Sequence, residues 1–187
     1  GQVVRQQLRW PIEVRADKGG LVLIVGVPLE EYVAGVVAGE ASPKSPQALL
    51  QVVAIGARNF ALANRGKHGA QAFDVCTSSH CQNFRAYPGE QARQAAEATR
   101  GLALTKDAAL VSVHYHTTCG GTTESASSVW GGRDPLGLLG VTDDERAQPP
   151  ATGFPSLAAS ARASSGRSGF PHSRRVRCQE KQPTPSR

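Results

Sequence analysis

The segment PLEEYVAGVVAGEAS, residues 28–42, decides the fold because it reads as an amphipathic helix. Apolar side chains recur in it at three- and four-residue spacing, which is typical of a helix with one buried face; they are Leu29, Val33, Val36 and Val37. Glu40 continues this stripe, four residues after Val36, in the last turn before Pro43. A carboxyl group is therefore predicted on the apolar face of the helix.

The predicted position of Glu40 suits acid catalysis. Partial burial and the negative end of the helix dipole both disfavour a charged carboxylate there. A carboxyl group kept uncharged near neutral pH is what a general acid requires. The alternative is structural, with Glu40 bent toward water or paired with Arg58, and spacing alone leaves both interpretations open.

The other elements predict an α+β fold, with helices and antiparallel strands mixed in one domain. The predicted order is a hairpin at 12–16 and 21–27, the helix above, a helix at 46–64 with Ser45 as its N-cap, a helix at 89–100, and a hairpin at 102–105 and 110–117. The helix at 46–64 is apolar almost all round, which predicts a place at the centre of the core.

Composition limits the class of protein. A chain of 187 residues with 40% hydrophobic content is long enough for one domain with a real core. No apolar run approaches the ~20 residues that span a bilayer. The net charge of +6 lies entirely after residue 146, where seven basic residues face one acidic residue. The balanced remainder shows no basic surface for specific binding of nucleic acid.

The C-terminal part of the chain has a different character. Residues 147–187 hold six of the twelve prolines, with many Ser and Arg and few large apolar side chains. Such a composition does not offset the entropy cost of ordering. We therefore predict a domain at 1–136 and a disordered or aberrant tail at 137–187. Since the chain starts at Gly1 and contains no Met, the domain is expected to be trimmed at its N-terminus.

The segment FDVCTSSHCQNF, residues 73–84, carries a concentration of metal-binding residue types. Thiolate and imidazole groups are the usual ligands of zinc. We call four residues the Cys/His cluster: His68, Cys76, His80 and Cys81. Their spacing matches no common zinc finger, and Cys119 or water could take the place of His68 as the fourth ligand, so alternatives remain open. One is a disulfide from Cys76 to Cys81 or Cys119, and another is free thiols.

The segment HYHTTCGGTTE, residues 114–124, ends a predicted strand in a glycine pair. His114 and His116 share one face of such a strand. Gly120 and Gly121 permit a close approach of the backbone to a ligand. This arrangement fits a wall of a sugar-binding cleft, and it fits equally a polar sheet face followed by a turn.

Five stretches, taken in order, resemble one family. They are LEEYVAGVVAGE, VVAIGARNFAL, FDVCTSSHCQNF, EATRGLALT and HYHTTCGGTTESASSVWGG, and the resemblance as a whole runs from about residue 15 to residue 132. This order and spacing resemble the stage II sporulation protein D family, also called the amidase-enhancer family. Proteins of that family act on bacterial peptidoglycan, and the characterised members are lytic transglycosylases that favour glycan strands stripped of peptides.

The resemblance assigns roles to particular residues. The family's catalytic glutamate maps onto Glu40. Its zinc-binding segment corresponds to 73–82, which implies a structural zinc held by Cys76, His80 and Cys81, with His68 as fourth ligand. The resemblance also implies a group of substrate-binding residues: Arg58, Gln82, His116, Gly120 and Gly121.

The implied reaction needs a single carboxylate and forms a 1,6-anhydro ring on muramic acid without consuming water. The resemblance also implies an extracytoplasmic location in the cell envelope. The expected partners are peptidoglycan strands and a cell-wall amidase. The alternative function is that of a module that binds peptidoglycan and activates an amidase without cutting.

Overall fold

The computed structural model describes residues 8–17, 20–106, 108–111, 113–114, 122–132, 140, 142 and 175–180. Helices and small, mainly antiparallel sheets form one domain, which confirms the predicted α+β class. The elements are β1 (Ile12–Asp17), β2 (Gly20–Pro28), α1 (Leu29–Glu40), α2 (Gln47–Ala63), β3 (Val75–Cys76), α3 (Glu90–Ala98), β4 (Thr105–Lys106), β5 (Ala109–Leu110), α4 (Ala126–Trp130) and β6 (Arg175–Glu180).

The larger sheet has the strand order β1-β2-β6-β3. β1 and β2 form the predicted hairpin, with Ile12 opposite Val25. β6 pairs antiparallel to β2, and the short β3 pairs parallel to β6, with Val75 opposite Cys178. The sheet therefore places β3, which ends in Cys76, on the same framework as the hairpin that leads into α1.

Strand β6 lies inside the segment that was predicted to be disordered. The prediction for 137–187 is wrong for these six residues, because they pair with β2 along their whole length. In the sequence RVRCQE, Val176 and Cys178 alternate with polar residues, which is the period of a strand. Val176 is buried in the core. Apart from these six residues, the structure describes only Gly140 and Thr142 of this tail.

The centre of the core is α1 rather than α2. Four side chains of α1 are completely buried: Tyr32, Val33, Val36 and Val37. α2 and α3 both pack against α1. The prediction that α2 is central is wrong in one respect, because Leu49 and Val52 leave about half of their surface exposed. No helix in the described part of the chain is long and apolar enough to cross a membrane.

Two boundaries differ from the sequence prediction. α2 begins at Gln47 with Pro46 as the capping residue and no capping hydrogen bond from a side chain, so Ser45 is not the N-cap. The second hairpin is shorter than predicted, with two residues in each strand, β4 and β5. Half of the predicted return strand, residues 112 and 115–117, lies outside the described residues.

Candidate active site and metal centre

The structure brings the four residues of the Cys/His cluster together. Their ligand atoms all lie within 4.8 Å of one another. His68 Nε2 lies 3.4 Å from Cys81 Sγ, and His80 Nδ1 lies 3.6 Å from the sulfur of both Cys76 and Cys81. His68, the ligand with the least certain spacing in the sequence, is therefore placed beside the other three.

These distances fit a tetrahedral metal site. Zinc bonds of about 2.0–2.3 Å separate neighbouring ligand atoms by about 3.3–3.8 Å in a tetrahedron. The three separations given above fall within that range. Two sulfur and two nitrogen donors also suit a soft or borderline ion better than magnesium or calcium. The donor set therefore fits zinc in both distance and chemistry.

The two cysteines of the cluster are free thiols. Burial would raise the pKa of Cys76, but hydrogen bonds with Ser78, Cys81 and His80 outweigh it and lower the pKa to about 7. Burial raises the pKa of Cys81. The predicted alternative pairing with Cys119 lies outside the described residues. Cys76 and Cys81 form no disulfide with each other.

Local structure holds the cluster in place. His68 stacks on Phe73 with ring centres 4.6 Å apart. Cys76 ends β3, which the sheet fixes through β6. A turn closed by the bond from the Cys81 N–H to the Ser78 carbonyl, 2.9 Å long, returns the chain toward Cys76. The four donors thus come from three separately anchored pieces of backbone.

Glu40 is half-buried at the last residue of α1, as its place in the apolar stripe predicted. Its surroundings are more polar than that stripe implied. The backbone N–H of Asn83 donates to Glu40 Oε1 at 2.7 Å, and the Asn83 side-chain amide lies 3.5 Å from Oε2. One oxygen of the carboxylate is therefore held firmly and the other only weakly.

Two glycines of α1 allow the segment around Asn83 to lie against the helix. A Cβ atom on Gly39 would stand 2.3 Å from the carbonyl oxygen of Asn83, closer than any real contact. A Cβ on Gly35 would stand 2.7 Å from the carbonyl oxygen of Arg85. In the motif GVVAGE, the two glycines form a face of α1 against which residues 83–85 pack. The glutamate of the same motif is the carboxylate that Asn83 contacts.

Arg58 does not fit the predicted role in substrate binding. Its side chain is 1% exposed, and it forms an ion pair with Glu30, with Nε and Nη2 each donating to one carboxylate oxygen. It also donates to the carbonyls of Ala96 and Leu102. Since it points into the core, it joins α1, α2 and α3 instead of reaching a substrate. The alternative pairing of Arg58 with Glu40 is not formed either.

Gln82 is likewise a buried structural residue rather than a substrate contact. Its side chain is 1% exposed, and its Oε1 accepts a hydrogen bond from the Tyr32 hydroxyl at 3.0 Å. The prediction failed because a glutamine that follows a metal-binding segment gives no sign of which way it points. The three other predicted substrate residues, His116, Gly120 and Gly121, lie outside the described residues.

A cavity of about 180 Å³ opens beside the end of α1. Val37, Ala38 and Ala41, all within one turn of Glu40, line it together with residues from α2 and α3. Its rim carries Arg85 and Tyr87, both exposed, and Arg85 forms no ion pair within the described part of the chain. Sequence reasoning missed both residues, because neither stands in a patterned segment.

Residues 17–106 match the family model of the stage II sporulation protein SpoIID. This segment belongs to the SpoIID family, which confirms the resemblance found in the sequence. It includes Glu40 and the whole Cys/His cluster, whereas His116 and the glycine pair lie beyond it. Membership supports a function related to the cell wall in sporulation.

This chain is also similar to an uncharacterized protein of Brachyspira hyodysenteriae. The two sequences are 27% identical over 117 residues, and the alignment covers 59% of this chain. The aligned part covers 31% of that protein, so this chain spans about a third of the relative's length.

Proposed function

We propose that this chain cleaves the glycan strands of peptidoglycan as a lytic transglycosylase, with Glu40 as its single catalytic carboxylate. The observation that carries the proposal is the position of Glu40. It ends the central helix, directly before Ala41 in the wall of a cavity that Glu40 itself does not line, and only one of its oxygens is firmly bound within the protein. The family assignment supports a substrate in the cell wall.

Glu40 acts twice in the proposed reaction. As a general acid it donates its proton to the glycosidic oxygen between muramic acid and the next sugar, and that bond breaks. As a carboxylate it then takes the proton of the muramic acid 6-hydroxyl, whose oxygen bonds to the anomeric carbon and closes a 1,6-anhydro ring. The acid is regenerated and no water is consumed.

A single carboxylate distinguishes this reaction from hydrolysis. Hydrolytic glycosidases normally place two carboxylates about 5–10 Å apart across the scissile bond. Two other carboxylates that could assist hydrolysis, Asp74 and Glu124, are both held in local structure: Asp74 accepts from the Gly66 N–H and Glu124 from the Ser128 hydroxyl. These contacts favour the transglycosylase reaction over the hydrolytic one.

We assign one sugar unit of the strand to the cavity whose lining includes Ala41, the residue after Glu40. Its floor is apolar, with Val37, Leu50 and Ala92, and its rim offers the aromatic ring of Tyr87. A muramic acid without its peptide carries a free lactyl carboxylate, the anionic group that Arg85 would recognise. Peptide-free strands are therefore the proposed substrate.

Replacing Arg85 by Gln is expected to weaken binding of peptide-free strands by about tenfold or more, because a hydrogen bond to a charged group contributes about 1.5–3 kcal/mol. Binding of strands whose lactyl carboxylates have been amidated should change little. Equilibrium binding of both strand types checks this, with Arg15→Gln on β1 as the control. Equal losses for both strand types would contradict a role in carboxylate recognition.

We also propose that the Cys/His cluster binds one zinc ion with a structural role. Four protein ligands close the coordination sphere and leave no open position for a reacting water. The bound ion would supply a rigid cross-link between pieces of chain that are otherwise loop-like. The proposal rests on the distances and donor types described above.

Elemental analysis should find one zinc per chain in protein purified under reducing conditions, and none in Cys81→Ala. Removing one of the four protein ligands should abolish the affinity of the site for zinc. His114→Ala, outside the cluster, should keep the metal. A wild-type protein without zinc, or a Cys81→Ala protein that retains it, would contradict the assignment.

With this substrate, we propose that the protein acts outside the cytoplasm, in the cell envelope, and that a cell-wall amidase is a partner.

The function is tested by incubating the purified protein with peptide-free glycan strands and measuring strand length and co-sedimentation. Shortened strands are the expected result. Strands that are bound but remain intact would overturn the enzyme and favour the activator of an amidase.

A further inference from the structure

The metal centre and the candidate catalytic residue are joined by a very short piece of chain. Cys81 supplies a sulfur to the Cys/His cluster, and two residues later the backbone N–H of Asn83 donates to Glu40 Oε1 at 2.7 Å. The two groups come from distant parts of the sequence, because 43 positions separate Glu40 from Asn83. The position of Cys81 therefore bears directly on the position of that N–H.

Contacts on both sides fix the intervening segment, residues 82–85. Gln82 is buried and accepts from the Tyr32 hydroxyl at 3.0 Å. Phe84 stacks on Tyr32 with ring centres 5.6 Å apart and planes inclined by 10°. The Arg85 N–H donates to the Gly35 carbonyl at 3.0 Å. The segment thus lies anchored along α1, and Cys81 of the Cys/His cluster directly precedes it.

We propose that Asn83 is a positioning residue for Glu40, and that ligation of the Cys/His cluster holds the segment 82–85 in the position this requires. The inference rests on the proposed role of Glu40 as the proton donor. It goes beyond that role because it assigns a function in the reaction to a backbone group and connects it with the metal ligands.

The geometry also assigns the transferable proton to one atom. A backbone N–H can only donate, so Glu40 Oε1 must present a lone pair to it. The shorter bond at Oε1 therefore favours Oε2 as the oxygen that carries the proton of the neutral acid, because Oε2 faces the Asn83 side-chain amide only at 3.5 Å. Because of this, Oε2 is the oxygen that hands its proton to the glycosidic oxygen and takes one back.

The glycine face explains why the arrangement tolerates little change. Adding a methyl group at Gly39 would drive the Asn83 carbonyl away from α1, because the two atoms would stand only 2.3 Å apart. The neighbouring N–H would move with it. Gly39→Ala should therefore disturb the bond to Glu40 without touching the carboxylate or any metal ligand.

Amide hydrogen exchange tests the proposal without depending on activity. In the zinc-loaded protein the amides of Asn83 and Arg85 should be protected. Removal of zinc by a chelator should speed their exchange by at least about tenfold, and Gly39→Ala should do the same for Asn83 with zinc still bound. Amides of the buried turn around Ala57 in α2 should keep their protection.

The kinetics of glycan cleavage provide a second test of the proposal. Asn83→Pro removes the N–H and should lower kcat by about 10- to 100-fold with a smaller change in KM, since a hydrogen bond to a charged group contributes about 1.5–3 kcal/mol. Asn83→Ala restores the N–H and should recover most of that loss. Failure of Asn83→Pro to fold leaves the exchange experiment as the deciding measurement.

Three results would overturn the proposal. One is unchanged exchange at Asn83 and Arg85 after zinc removal, and another is full kcat in Asn83→Pro. The third is equal loss of protection around Ala57, which would show that the metal holds the whole domain. If instead wild-type protein cuts no strands while the exchange pattern holds, the proposed function fails and the link between cluster and carboxylate remains.

Discussion

Glu40→Gln is expected to lower the rate of glycan cleavage by about 10²- to 10⁴-fold, the usual contribution of a positioned general acid. An amide neither donates the proton to the leaving oxygen nor takes one from the 6-hydroxyl. Gln keeps the shape of Glu and still accepts the Asn83 N–H through its carbonyl oxygen. Initial rates on peptide-free strands measure the loss, and strand binding should be retained.

Glu31→Gln is the matched control for this experiment. It makes the same chemical change on the same helix, at a residue that accepts from Arg9 and Trp10 near the start of α1. Its cleavage rate should stay close to that of the wild type. If Glu40→Gln cuts strands as fast as Glu31→Gln does, the assignment of the catalytic residue is wrong.

Arg58→Met is expected to reduce the free energy of unfolding by about 3–5 kcal/mol, the usual cost of removing one partner of a buried ion pair. The change leaves the Glu30 carboxylate, 17% exposed, without its cation. The carbonyls of Ala96 and Leu102 also lose a donor. Urea denaturation should show a lower midpoint with an unchanged slope.

Two further variants separate this effect from a general loss of charge. Arg100→Met removes an arginine from an exposed pair with Glu97 and should hardly move the midpoint. Removing both buried partners, with Glu30→Leu and Arg58→Met together, should recover part of the loss because no unpaired charge remains. A midpoint for Arg58→Met that equals that of Arg100→Met would contradict the structural role of Arg58.

Prediction from the sequence was most accurate where apolar residues repeat at a regular spacing within one element. The apolar stripe of α1 gave the helix and the place of Glu40 correctly, because burial of one helix face repeats at fixed spacing. The Cys/His cluster was recognised from residue types alone. Its fourth member, His68, had no supporting pattern, since the turn and the Phe73 stack that bring it back are tertiary features.

Side-chain direction was the part that the sequence did not reveal. Arg58 and Gln82 stand in segments of functional interest, yet both point into the core. Asn59 beside Arg58 is equally buried and bonds to the backbone of Leu104 and Val111, tying α2 to the β4–β5 hairpin. Buried polar residues of this kind depend on partners about 28 to 52 positions away, which no local pattern records.

Strand β6 shows a similar limit. Its polar–apolar alternation covers only five residues, 175–179, within a segment rich in proline, serine and arginine, so the composition of the segment outweighed this alternation in the prediction. Its place between β2 and β3 comes from pairing with strands about 100 or more positions earlier in the chain. Such pairing is decided by the assembled core rather than by the segment itself.

Digestion of peptide-free strands in water enriched in heavy oxygen tests the single-carboxylate reaction most directly. We expect every new muramic acid end to be a 1,6-anhydro sugar, lighter by one water molecule than a reducing end and free of the heavy isotope. New reducing ends that carry one heavy oxygen atom would show hydrolysis, and the account of Glu40 acting alone would be wrong.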